Sequence, residues 1–148
     1  MFEKAKLTPE AARDRAERAA RVLAADPRVR LVFFFGSAAD PNRTLPVRDV
    51  DLAVLTTPAL DLSARLDLAA AVAREAGGEI DLVPLNDAPV VLAREVADTG
   101  RCLYADPPEL ETDFVTRARM RYLDFKPYLE EQWRISGERL EERLHGLP

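Results

Sequence analysis

A chain of 148 residues, 47% hydrophobic and 32% charged, has the make-up of one globular domain long enough to bury a core without covalent staples. Its formal net charge of −5 speaks against retention on nucleic acid by general electrostatics, which depends on Lys and Arg neutralising phosphates. Cys102 and His145 are the only residues of their kinds, which excludes an internal disulfide and argues against a Cys/His zinc site or a histidine-dependent triad. With no apolar run of about 18 residues and no signal-peptide pattern, no membrane association is expected and the chain is read as cytoplasmic.

Thr8 and Pro9 make a helix start, followed by Ala12, Ala16, Ala19 and Leu23 at helical spacing and a stop at Asp26-Pro27. That face is built largely of alanine and is expected to pack closely on its neighbour. Val29 to Phe35 reads as a strand, and the continuous apolar run from Leu31 places it centrally, covered on both faces. Gly36-Ser37 closes it and opens a polar loop, Ala38 to Arg48. Arg43 and Arg48 in that loop are either phosphate contacts or solvated charges.

Asp49 to Leu55 is the second strand, broken by Thr56-Thr57-Pro58. Asp61 or Ser63 caps a helix bearing Leu62, Leu66, Ala69 and Ala73, stopped by Gly77-Gly78. Glu79 to Leu85 is the third strand, with Asp81 interrupting its apolar run. Asn86 or Asp87 caps a short helix to about Asp98, and Arg101 to Ala105 makes a fourth strand. After Asp106-Pro107-Pro108, a helical pattern over about 109–145 carries Phe114, Ala118, Tyr122, Phe125, Leu129 and Trp133 on one face. Pro127 is expected to kink or split this helix, and Ser136-Gly137 to end its ordered part. The predicted fold is α/β (α+β): residues 1–148 as a single domain, with a small mixed sheet of about four strands flanked by helices and a long C-terminal helix kinked near Pro127.

The chemistry concentrates between the first two strands. Side chains two apart on a strand share a face, so Asp49 and Asp51 lean toward one point. Two carboxylates held together repel unless a cation lies between them, and hard oxygen ligands suit Mg²⁺ or Mn²⁺. Gly36 permits a tight turn and close backbone approach; Ser37 adds a hydroxyl, and the amides after it can form an anion-binding nest. A phosphate-cradling turn on one strand and an acidic pair on the next read as a site for a metal–nucleotide complex. Asp81 either completes a three-carboxylate cluster from the third strand or faces water at a strand end.

With Gly36-Ser37, then Asp49-x-Asp51, then Asp81 on successive strands, the chain resembles the minimal nucleotidyltransferase (MNT) family of the DNA polymerase β-like superfamily. The resemblance spans the leading helix, the Phe-Phe-Gly-Ser strand, Asp-Val-Asp-Leu-Ala-Val, Ile-Asp-Leu-Val and the closing segment Arg117 to Trp133. Two features depart from the family pattern: the loop before Asp49 is one residue longer, and Ala38-Ala39-Asp40 replaces the Arg that often follows Gly-Ser.

The resemblance implies an antitoxin whose partner, in a hetero-oligomer, is a helical HEPN-domain ribonuclease toxin. It implies transfer of AMP from ATP, with Mg²⁺, to a tyrosine hydroxyl of that toxin. Asp49 and Asp51 would hold the metal, Asp81 would help hold a second ion or take the proton of the incoming hydroxyl, and Gly36 and Ser37 would position the β- and γ-phosphates. Two other readings are a non-catalytic antitoxin that inhibits by occlusion and a nucleotidyltransferase acting on a small hydroxylated molecule.

Overall fold

The computed structural model describes residues 5–146. The predicted helix start is present: the Thr8 hydroxyl accepts from the Ala11 N–H at 3.1 Å, capping α1 (Pro9–Ala24). The chain then runs through β1 (Val29–Phe35), a 3₁₀ turn (Ser37–Ala39), β2 (Asp51–Thr56), α2 (Leu62–Ala76), β3 (Asp81–Pro84), α3 (Val90–Thr99), β4 (Arg101–Ala105) and α4 (Glu109–His145). Among the described residues no helix is long and apolar enough to cross a membrane.

One mixed sheet in the order β3-β2-β1-β4 organises these elements. β1 pairs antiparallel with both β2 and β4, and β2 pairs parallel with β3. The unbroken apolar run of β1 follows from its central place, since neither face of that strand meets water. Alternation of side chains divides the core in two. Val32 and Phe34 of β1, with Val50, Leu52 and Val54 on β2 and its approach, pack against the alanine face of α1 and against Val72 and Ala76 of α2. Leu31, Phe33, Phe35 and Ala53 face Ala93, Val96 and Ala97 of α3 and Ala118 of α4. Phe33 and Phe114 tie α4 to the sheet, their ring centroids 5.4 Å apart.

Several local expectations are revised. Asn86 does not cap α3. Its side chain accepts from the Thr56 N–H at 3.1 Å and donates to the Thr56 carbonyl at 2.8 Å, joining the ends of β2 and β3, and Pro89 takes the cap position instead. Asp61, not Ser63, caps α2, accepting from the Ala64 N–H at 2.8 Å. α4 is neither split at Pro127 nor ended at Ser136-Gly137 but continues to His145. Pro127 removes one backbone donor, and the carbonyl a turn earlier belongs to Leu123, 65% exposed, where water can serve it.

Candidate active site

β1 ends where β2 begins, and all five predicted site residues gather at that end of the sheet. Phe35 pairs with Asp51, so Gly36 leaves the sheet directly beside that carboxylate. Gly36 has φ +82°, and a Cβ built on it would lie 2.8 Å from Asp51 Oδ2. Glycine is therefore required twice, for the backbone conformation and for the space the carboxylate occupies. Ser37 follows, exposed, at the head of the 3₁₀ turn, which is closed by the Ala39 N–H on the Gly36 carbonyl at 3.1 Å and the Asp40 N–H on the Ser37 carbonyl at 3.3 Å.

The parallel register of β2 and β3 sets Asp81 opposite Asp51, and the Asp81 N–H donates to the Val50 carbonyl at 2.9 Å. Val50 points into the core on the α1–α2 side, so Asp51 belongs to the other face together with Asp81; Asp49, expected to open the strand, lies two residues before its observed start. Neighbouring strands lie about 4.8 Å apart, which makes Asp51 and Asp81 adjacent side chains. Asp51 is half-buried, while Asp49 and Asp81 are exposed, Asp81 as the first residue of an edge strand. Among the described residues no group of three or more His, Cys, Asp or Glu side chains is drawn together tightly enough to hold a metal ion. A divalent cation of the magnesium type asks less, often one or two protein carboxylates with substrate phosphates and water completing its shell. The glycine-cleared space at Asp51, with a second carboxylate one strand away, fits that demand.

Gly36 and Ser37 also line a cleft of about 430 Å³ whose other wall is Asp40, Pro41, Glu95, Asp98 and Thr99. The α3 residues in this wall were not legible as site residues in the sequence; only their spacing along the polar face of α3 hinted at a shared side. Asp40 and Glu95 in that wall disfavour a bare polyphosphate, while Asp98 is paired with Arg94 and Arg119, so the cleft suits an anionic ligand that brings a compensating cation. Of the two loop arginines, Arg43 is committed to its own loop. Its Nε donates to the Leu45 carbonyl at 3.0 Å and a terminal nitrogen to the Pro46 carbonyl at 3.1 Å. The loop is fastened in turn to the N-terminal segment, by a two-way backbone bridge between Leu7 and Val47. Arg48 is exposed beside Asp49. A second depression, of about 160 Å³, lies at the opposite end of β2 and β3 around Val54, Thr56, Pro84 and Asn86, and holds none of these residues.

The sheet, the turn and the acidic residues can be set against known proteins. The family model "Polymerase beta, Nucleotidyltransferase" matches residues 17–109. Protein adenylyltransferase MntA of Shewanella oneidensis is 35% identical over 78 residues, covering 53% of this chain and 55% of that protein. The chain thus spans about half the length of the curated relative it matches. A toxin–antitoxin crystal structure with AMP-PNP aligns at TM-score 0.60 and 24% identity, over 80% of this chain and 98% of that one. A structure of tri-AMPylated Shewanella oneidensis HEPN toxin in complex with MNT antitoxin aligns at TM-score 0.58 and 23% identity, over 82% of this chain and 98% of the matched one. At such identities the structural likeness speaks to the fold, a small mixed sheet with helices on both faces. The family match takes in β1, the Gly36-Ser37 turn, all three aspartates, α3 and β4, and on it the chain belongs to the polymerase β-type nucleotidyltransferase family.

Proposed function

We propose that this chain is an antitoxin that transfers AMP from ATP to a tyrosine hydroxyl of a partner HEPN-domain toxin and thereby silences it. The observation that carries the reading is the fit of the Gly36 turn over Asp51, with Asp81 in register on the next strand. The names of the similar proteins, an adenylyltransferase and MNT antitoxins solved with HEPN toxin or AMP-PNP, support the choice of acceptor and donor.

In the proposed reaction the acceptor oxygen forms a bond to the α-phosphorus of ATP and the bond from that phosphorus to the β-phosphate oxygen breaks. Pyrophosphate leaves with the bonding pair, and the acceptor proton passes to a base. Asp81, exposed at the strand edge, would take that proton from a hydroxyl arriving from solvent. Asp49 and Asp51 would hold Mg²⁺, which when bound offsets the charge of the triphosphate. Gly36 and Ser37 would seat the β- and γ-phosphates against the turn, where no side chain intrudes. The protein's contribution is mainly alignment and charge placement. A reducing, cytoplasmic setting is part of the same reading and suits a chain with a lone, half-buried thiol.

The test is intact mass spectrometry of the partner after incubation with ATP and Mg²⁺. Each transfer adds one AMP to the partner, and Asp51→Asn is expected to reduce the rate by a factor of at least about 100, the scale of losing a main electrostatic contact in a transition state. A partner left at its original mass by the wild-type protein would refute the reading. An Asp51→Asn variant that transfers nothing yet still neutralises the toxin in cells would move the conclusion to inhibition by binding alone.

A further inference from the structure

α3 and α4 enclose a second cleft, of about 250 Å³, on the far side of Asp98 from the Gly36-Ser37 turn. Its lining is Arg94, Asp98, Arg119, Tyr122, Leu123 and Lys126. Three cations stand there against one carboxylate, in a chain whose formal net charge is −5. Asp98 engages both guanidinium groups, and Tyr122 adds a second contact to Arg94. Arg94 Nε lies 2.9 Å from Asp98 Oδ2 and Arg119 Nε 3.0 Å from Asp98 Oδ1, while Arg94 stacks 4.1 Å above the centroid of Tyr122. Both ion pairs engage Nε, which leaves the terminal nitrogens of both arginines able to donate to an oxyanion. Guanidinium forks of this kind suit oxyanions. Lys126 adds a third positive group, tethered to Glu130 at 3.7 Å.

Asp98 also lines the cleft that holds Gly36 and Ser37, so the basic and acidic clefts share a wall. The acidic one suits a donor that brings a cation with it. The basic one suits an anion that arrives without one.

We propose that the Arg94–Arg119–Lys126 cleft is an acceptor subsite, which grips an anionic group of the macromolecule receiving AMP and thereby aims its hydroxyl at the donor. The proposal rests on the function proposed above. Two anions on such an acceptor share the required chemistry: carboxylates flanking the target hydroxyl, and the phosphodiester of a nucleotide already attached. The timing of the effect separates them.

The experiment follows the intact mass of the HEPN-domain partner over time with ATP and Mg²⁺. It compares the wild type, Arg94→Ala, Arg119→Ala, their double variant and the charge reversal Arg119→Glu, with ATP affinity measured in parallel. The double variant is expected to raise the KM for the partner about tenfold while ATP affinity stays within about twofold, and Arg119→Glu is expected to exceed either single alanine change. Loss of the first addition identifies flanking carboxylates as the anion. A normal first addition followed by arrest identifies the attached phosphodiester. A double variant with wild-type kinetics at every addition overturns the subsite, as does one that loses ATP affinity as much as partner affinity. A wild-type protein that adds no AMP overturns the underlying function, and the subsite with it.

Discussion

Gly36 is the residue on which the site geometry turns. Alanine there would meet Asp51 Oδ2 at 2.8 Å in a backbone conformation that side chains resist, and the two penalties act together. Gly36→Ala is expected to cost about 1–3 kcal/mol in urea unfolding. Its loss of AMP transfer should exceed what that destabilisation explains at 25 °C, because relief of the clash displaces the carboxylate. Full activity in a folded Gly36→Ala protein would show that the close approach has no chemical purpose. Cys102 lies outside this chemistry. Burial pushes its thiol up to about 11, with Glu111 adding to the effect. Two units above the ordinary 9.0 mean about a hundredfold less thiolate near neutral pH. Alkylation at pH 8 should therefore be about a hundredfold slower in the native protein than in urea, and equal rates would contradict the burial. Because the folded value lies above the unfolded one, the associated stability is complete below pH 9 and is lost as pH rises toward 11.

Elements show which parts of the sequence could be read and which could not. The Gly36-Ser37 turn and Asp49-x-Asp51 are local patterns beside apolar runs of strand length, so their meeting at one end of the sheet could be read from the chain, although β2 begins at Asp51 and not at Asp49. Asp81 was half legible: its strand could be seen, but its meeting with Asp51 depends on parallel pairing that only the topology decides. The acidic wall from α3 and the cleft against α4 were not legible. Both arise from packing between segments distant in sequence, as does the bonding of Asn86 to Thr56, whereas Arg43 turns to carbonyls two and three residues away in its own loop. The alanine face of α1 was legible and carries a prediction. Ala12, Ala16 and Ala19 are wholly buried, with α2 and the sheet close against them. Ala16→Leu should overpack that contact and cost about 1–3 kcal/mol, read as a lower urea midpoint at unchanged slope. A neutral result would mean that the helix can retreat. In the turn between α1 and β1, Asp26 accepts from the Arg28 backbone N–H at 2.9 Å and from two guanidinium nitrogens. The side-chain bonds to Arg28 hold its carboxyl below the ordinary value of 3.8. A depressed carboxyl contributes stability above its unfolded value and loses it as pH falls, so Asp26→Asn should destabilise at pH 7 and converge with the wild type below pH 3.8.

At the scale of the molecule, α4 is longer than the body it serves. Its 37 residues extend about 55 Å, roughly the width of two small domains. The first half is accounted for: Leu110, Phe114, Val115 and Ala118 pack on the sheet and α3. Apolar residues continue through Phe125 and Leu129 to Trp133, Leu140 and Leu144, at spacings of four and seven that carry the stripe slowly round the helix. Trp133 is 61% exposed and Leu140 57%, so the stripe that begins as core ends in solvent. Around it Arg134 binds Glu131 and Glu138, intrahelical pairs that hold the exposed helix without help from the body. A helix maintained in this way beyond its own core has a face to offer, and under the proposed function the occupant is the helical toxin. Trp133→Ala with Leu140→Ala removes two large side chains from a solvated helix, so folding should be nearly untouched. Affinity for the partner should fall at least about tenfold, the scale of losing one aromatic anchor. ATP affinity should change little, since neither Trp133 nor Leu140 lines the cleft that holds Gly36 and Ser37. Isothermal titration with the partner and separately with ATP reads both quantities. Undiminished partner affinity would place the docking surface elsewhere, and loss of ATP affinity would show that the helix supports the body after all.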